Sequence, residues 1–224
     1  MQLPICVYLH GFLSSGNSSK GQWFKARVAQ ENHSASMGLK EEGEEKFLRF
    51  QKWLTPTYPL ASPQASLLAI ETVILPLIRS EVSLILAGSS MGGFYAQYLG
   101  QKYRIPYVLI NPVLNPIPLF EQHLGEHQSS VTGESFCIDL AYIQQLKALM
   151  FDRKEQPLDK SISALLLLDE ADEVIDIPFA LAQYPQANPA FQVQVYSGGN
   201  HAFQHLEEGW LEIKQFVSKN YASS

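Results

Sequence analysis

Short apolar runs punctuate this chain near residues 4–9, 47–53, 82–87, 106–110, 163–168 and 191–196. Helix-compatible stretches lie between them, and that alternation suits a parallel sheet covered on both faces. Leu67, Leu68, Val73, Ile74, Leu75, Leu77 and Ile78 can line one of these helices, which Pro76 should kink or end because it has no N–H to donate. Near the C-terminus Leu206, Trp210, Ile213, Phe216 and Val217 recur at helical spacing and read as a core-facing stripe. The pattern predicts one α/β domain over residues 1–224, a mainly parallel sheet of about six strands with helices on both faces. From Pro112 to Lys160 the connection is longer than a crossover helix needs, so a small lid insertion is expected at about 113–160. Within it, Leu119, Phe120, Phe136 and Leu140 either face a ligand pocket or seal the insertion to the core.

The run Val82–Ala87 leads into Gly88-Ser89-Ser90-Met91-Gly92 and then into the helix-compatible Gly93–Leu99. Gly-x-Ser-x-Gly alone is a weak signal, because small residues are common in turns. Between a buried-type strand and a helix it marks a strained turn that lifts a serine hydroxyl above the end of a sheet. Ser90 is therefore the candidate nucleophile. Ser89 fits worse, since positions 87 and 91 are Ala and Met rather than glycine. A serine hydroxyl needs a base to take its proton and an acid to orient that base, and in this setting the acid precedes the histidine.

His201 stands in Ser197-Gly198-Gly199-Asn200-His201, directly after the last β-type run, where such a base belongs. His205 reads as a solvated or capping residue, while His123 and His127 lie in a polar segment with no strand before it. Asp169, Glu170, Asp172, Glu173 and Asp176 all follow the buried-type run Ala164–Leu168. Spacing favours Asp172 as the acid: Asp169 is still committed to the strand end, and Glu173 and Asp176 suit the first turn of the next helix. An oxyanion hole needs the N–H after the nucleophile, here Met91, and a second N–H from an earlier strand end, here Phe12 in His10-Gly11-Phe12. His10 could be a second base, but as a strand-end histidine it more simply hydrogen-bonds its own loop. Phe12, Phe94 and Phe120 are expected near the serine as walls of a modest apolar pocket.

The net charge is −6 with no lysine or arginine cluster, so the electrostatic footprint of a nucleic-acid or anionic-membrane partner is missing. The Glu41–Glu45 acidic run reads as a solvated loop or helix face. Two cysteines, Cys6 and Cys137, do not make a disulfide framework and are expected to stay thiols. A strand begins almost at once, without a basic segment and long apolar run before it, and no stretch approaches a membrane span. A cytoplasmic protein is expected. No Cys/His cluster has metal-ligand spacing and no Gly-rich phosphate loop follows a strand, so neither a metal nor a cofactor is expected.

Five motifs in order, His10-Gly11-Phe12-Leu13-Ser14-Ser15, Gly88–Tyr95, Ile110-Asn111-Pro112, Asp172–Asp176 and Gly198–Phe203, resemble the small YqiA-type esterases of the α/β-hydrolase superfamily over nearly the whole chain. The resemblance implies an α/β-hydrolase fold, a Ser-Asp-His triad falling on Ser90, Asp172 and His201, and esterase activity on small acyl esters. The same machinery serves thioesters, so an acyl-CoA thioesterase is an alternative, as is a catalytically silent ligand-binding relative. One departure is the stretch from Glu31 to Lys46, which is longer and more charged than the family's link.

Overall fold

A computed structural model describes residues 3–38, 47–151 and 156–221. The first half runs β1 (Ile5–Leu9), α1 (Ser19–Ser36), β2 (Lys52–Leu54), α2 (Pro63–Arg79), β3 (Leu84–Ser90), α3 (Met91–Tyr103) and β4 (Tyr107–Pro112). The second half runs α4 (Ile117–Glu121), β5 (Gly125–Gln128), β6 (Ser135–Ile138), α5 (Leu140–Leu149), β7 (Ala164–Asp169), α6 (Ile177–Gln183), β8 (Phe191–Tyr196) and α7 (Leu206–Tyr221). Six strands form one sheet in the order β2-β1-β3-β4-β7-β8, and every neighbouring pair is parallel. The expected six-stranded α/β architecture is present.

Side chains alternate across the strands, so each apolar run supplies two cores at once. Ile5, Val7 and Leu9 join Leu86, Leu109 and Leu166 on one face, under α2, α3, α5 and α6. Cys6, Tyr8, Ile85, Val108 and Leu165 lie on the other, under α1 and α7. The C-terminal stripe packs as its spacing demands: Trp210, Ile213, Phe216 and Val217 are buried there. Glu31 crosses to this face from α1 and accepts hydrogen bonds from Trp210 Nε1 at 2.9 Å and Lys214 Nζ at 3.2 Å, so its buried charge is compensated.

Four expectations change. The run at 47–53 yields only the short edge strand Lys52–Leu54, because the chain before it crosses the helical layer and Phe50 packs on Trp53 and Trp210. Pro76 does not end α2; it lies exposed in the last turn, where the carbonyl of exposed Thr72, deprived of its i+4 N–H, is on the solvent side, and the helix continues to Arg79. The polar segment holding His127 forms β5, paired antiparallel with β6, whose Phe136 and Ile138 are buried and anchor the ribbon. Glu31 to Ser36 complete α1, whereas the Glu41–Glu45 run lies outside the described residues.

The chain leaves β1 for β2 on one side and β3 on the other, so a crevice opens beyond the carboxyl ends of β1 and β3. There β3 turns abruptly into α3 with almost no room. A Cβ on Gly88 would stand 2.1 Å from the Gly92 carbonyl oxygen, and one on Gly92 would stand 2.0 Å from the Leu9 oxygen. Both obstructing groups are backbone and cannot swing aside. Gly92→Ala should therefore destabilise the protein by about 3 kcal/mol or more, the upper range of overpacking costs. Urea unfolding monitored by circular dichroism checks this.

Candidate active site

Ser90 occupies the tip of the β3–α3 turn with φ 56 and ψ −125, a conformation that costs a non-glycine residue roughly 1–3 kcal/mol and persists only where the surroundings enforce it. The His201 Nε2 atom lies 2.9 Å from Ser90 Oγ. On the other side of the ring, His201 Nδ1 lies 2.9 and 3.1 Å from the two Asp172 oxygens. A carboxylate can only accept, so Nδ1 carries the proton and Nε2 is left to accept from the serine hydroxyl.

The Asp172 side chain is fully buried and the His201 side chain 24% exposed. Asp172 also receives the Val174 N–H at 2.8 Å and the Ile175 N–H at 3.2 Å, which bends its loop toward the histidine. Burial pushes this carboxyl up, but the hydrogen bonds from His201 and the two backbone amides together outweigh it and hold the group below the usual aspartate range.

Asp169 has a different task. It is buried and, among the described residues, makes no hydrogen bond to His201's ring; one oxygen accepts the Asn200 N–H at 3.1 Å and the Gln204 N–H at 2.7 Å, and the other pairs with His205 Nδ1 at 2.7 Å. His205 takes the expected cap position before α7, its carbonyl accepting the Gly209 N–H at 2.8 Å, and its ring is in addition a partner of Asp169, stacked on Tyr196 with ring centroids 4.8 Å apart. Gly199, at φ +73, passes so close that a Cβ there would stand 1.9 Å from Asp169 Oδ2. Asn111 completes this support: its oxygen accepts the Asp169 N–H at 2.8 Å and its amide donates to Asn200 O at 2.9 Å. The motif Ile110-Asn111-Pro112 carried the signal, a polar residue ending an apolar strand. Of the other acids, Glu173 accepts the His201 N–H and Asp176 caps α6 through Phe179 N.

The loop after β1 lies against the serine: a Cβ on Gly11 would sit 3.2 Å from Ser90 Cβ. Among the described residues neither the Phe12 nor the Met91 N–H donates to a protein acceptor. His10 is fully buried, its Nδ1 lies 2.8 Å from Gly11 O, its ring stacks on Tyr58, and burial pushes its pKa down. It therefore braces the loop as a neutral imidazole, donating to Gly11 O. Phe12 leaves this loop to pack edge-on against Phe120 and Phe136, with centroids 4.8 and 5.6 Å apart.

Two spaces meet at Phe12. An apolar pocket of about 130 Å³ lies among Phe12, Leu13, Leu119, Phe120, His127 and Ile138. A polar groove of about 330 Å³ contains Ser90 and His201 together with Ser14, Ser18, Ser19 and Lys20. Phe94, expected at the site, lines neither; it is fully buried in the core because the fourth position of α3 points down into the sheet rather than up past Ser90. Leu140 is 71% exposed and lines neither space. Sequence reasoning missed Lys20. Its amine donates to Ala202 O at 2.8 Å, and burial pushes it down to about 8 against the opposing pull of Asp172 and Asp169. A third groove, about 390 Å³ between Phe151, Leu158 and Gln183, contains none of these residues. Among the described residues no His/Cys/Asp/Glu group could hold a metal ion, and no helix is long and apolar enough to cross a membrane.

The model of the Uncharacterised protein family (UPF0227) matches residues 5–218. The chain belongs to this family. UPF0227 is the YqiA-like group that the sequence motifs resemble. Solved structures place this UPF0227 member in the α/β-hydrolase fold. One, described under LipS and LipT, two metagenome-derived lipolytic enzymes, is 14% identical with a TM-score of 0.64 over 97% of this chain and 94% of its own. Est1E from Butyrivibrio proteoclasticus with ferulic acid bound is 16% identical, TM-score 0.62, over 99% and 90%. Mouse alpha/beta hydrolase domain-containing protein 10 is 17% identical, TM-score 0.60, over 96% and 90%.

Because folding holds the Asp172 carboxyl below its ordinary 3.8, the stability its hydrogen bonds supply is present above that value and is lost as pH falls through the folded pKa. Wild type should be more stable than Asp172→Asn at neutral pH, with the gap closing in acid below 3.8. Thermal unfolding of both proteins across a pH series measures it.

Proposed function

We propose that this protein is a serine hydrolase that cleaves carboxylic esters of small acyl groups through an acyl-enzyme. The observation that carries the reading is the line of contacts from Ser90 Oγ through His201 to buried Asp172, 2.9 Å at each step. Ser90 Oγ attacks the ester carbonyl carbon as its proton passes to His201 Nε2. The carbonyl oxygen becomes an oxyanion, met by the Phe12 and Met91 N–H groups, which no protein acceptor among the described residues engages. The tetrahedral centre collapses, the C–O bond to the alcohol breaks, and His201 Nε2 returns its proton to that oxygen. Water then gives a proton to His201 and attacks the acyl carbon; Ser90 leaves and is reprotonated, and the free acid departs. Asp172 holds the imidazole in the required tautomer and stabilises its protonated form throughout. That lipolytic enzymes and Est1E share the fold supports the ester reading.

Ser90→Ala should leave the fold intact, abolish labelling by a fluorophosphonate probe and lower ester hydrolysis about 10³-fold or more. Retained labelling would remove Ser90 from the nucleophile's role. In the same assay Asp172→Asn should cost about 10⁴-fold, because an amide selects the wrong tautomer. Asp169→Asn should cost far less: one oxygen can still take both backbone N–H groups, and the amide can still hydrogen-bond the His205 ring.

The apolar pocket, about 130 Å³, is small beside the several hundred Å³ of drug-sized sites, which suits a short acyl chain. Across a series of 4-nitrophenyl esters, kcat/KM should be highest for acetyl to butanoyl groups and fall toward dodecanoyl. Equal or better turnover of the long chains would count against this pocket as the acyl site.

A further inference from the structure

The two spaces that meet at Phe12 differ in chemistry, and Ser90 lies in the polar one. If the apolar pocket takes the acyl chain, the groove receives the leaving group. On that side stand the hydroxyls of Ser14, Ser18 and Ser19, and Lys20 is its one lysine or arginine among the described residues. The protein's net charge of −6 disfavours an anion at long range, so a cation here acts locally.

Lys20 is half-buried and, among the described residues, forms no ion pair; its bond to Ala202 O uses one of three ammonium donors. It occupies the first turn of α1, where the Ser19 and Lys20 N–H groups have no intrahelical carbonyl, while the Ser18 hydroxyl is engaged by Gly21 N. The exposed Ser19 and half-buried Ser14 also line the groove, whereas the Ser89 hydroxyl is enclosed beneath it beside the Tyr8 phenol. Donors in excess of acceptors around a partly desolvated ammonium are the inverse of a carboxylate or phosphate.

Building on the serine-hydrolase reading, we infer that Lys20, with the first turn of α1 and the Ser14 and Ser19 hydroxyls, forms a subsite for an anionic oxygen group carried by the leaving-group half of the substrate. The natural ester is then a short acyl group on an alcohol that bears a carboxylate or a phosphate. Lys20 is a specificity-determining residue, outside the proton relay of Ser90, His201 and Asp172.

Matched ester pairs test it. The carboxylate arm compares the butanoyl esters of 4-hydroxybenzoate and 4-hydroxybenzamide; the phosphate arm compares those of glycerol 3-phosphate and glycerol. The quantity read is the ratio of kcat/KM for the charged ester to that for the neutral one. Lys20→Met should lower this ratio about tenfold in at least one arm, and Lys20→Arg should keep most of it. The arm that responds identifies the anion. Loosening of the Ala202 contact slows both members of a pair and leaves the ratio unchanged, so an unchanged ratio in both arms overturns the subsite.

Wild type alone gives a further reading. The groups facing Lys20 are Asp169, Asp172, His201 and Tyr8, common to both members of a pair, so the ratio should fall as pH rises past about 8, where the amine loses its proton. A ratio that stays flat through that range also overturns the proposal. Fluorophosphonate labelling separates the two failures. Labelled Ser90 with no charge preference removes only the subsite, whereas unlabelled Ser90 without hydrolysis removes the hydrolase reading and the subsite with it.

Discussion

The whole site depends on one close crossing of backbones beneath Ser90. Gly88 and Gly92 let β3 and α3 meet at distances no side chain tolerates, and Gly92 lies against the carbonyl oxygen of Leu9 at the end of β1. β1 is also the strand that delivers Gly11 and Phe12. A single packing constraint thus positions the serine, the N–H of Met91 and the loop bearing the N–H of Phe12. The positive φ of Ser90 is sustained because the strands on either side are buried and paired, so the turn has nowhere to relax.

The carboxyl end of β7 carries two aspartates with separate work. Asp169 spends its acceptors on backbone amides and His205 and so shapes the loop that brings His201 across; Asp172 spends its acceptors on the imidazole and on its own turn. Each is buried, and a buried carboxylate is tolerable only when its lone pairs are engaged. Asn111 ties the two ends together from β4, so the histidine loop rests on three strands rather than on its own flexible glycines.

Around the serine the protein is apolar on one flank and rich in donors on the other. The apolar flank is assembled from the insertion, whose ribbon has a polar strand against the buried Phe136 and Ile138. The donor-rich flank comes from the opposite end of the chain, at the start of α1. Glu134 of the insertion accepts the Leu60 and Ala61 N–H groups, which links the ribbon to the loop whose Tyr58 hydroxyl donates to His10 O.

Local sequence determined the elements whose cause is local. Short continuous apolar runs such as Leu84–Ala87 and Ala164–Leu168 read as strands covered on both faces, the C-terminal stripe as an amphipathic helix, and Gly88-x-Ser90-x-Gly92, set between such a strand and a helix, as a tight turn. Chain order then narrowed the partners of Ser90 to the acids after Leu168 and the histidine after Gly199. What remained belonged to tertiary structure, because it concerns residues far apart in sequence. The role of Asp169 depends on His205 and Gln204 arriving from a later loop, β5 exists only because β6 pairs with it, and Phe94 points into the core because of how α3 docks. Lys20 shows the same limit: in the sequence it is one charge at the start of a helix, and only the fold carries α1 over the carboxyl end of the sheet and sets its ammonium beside His201.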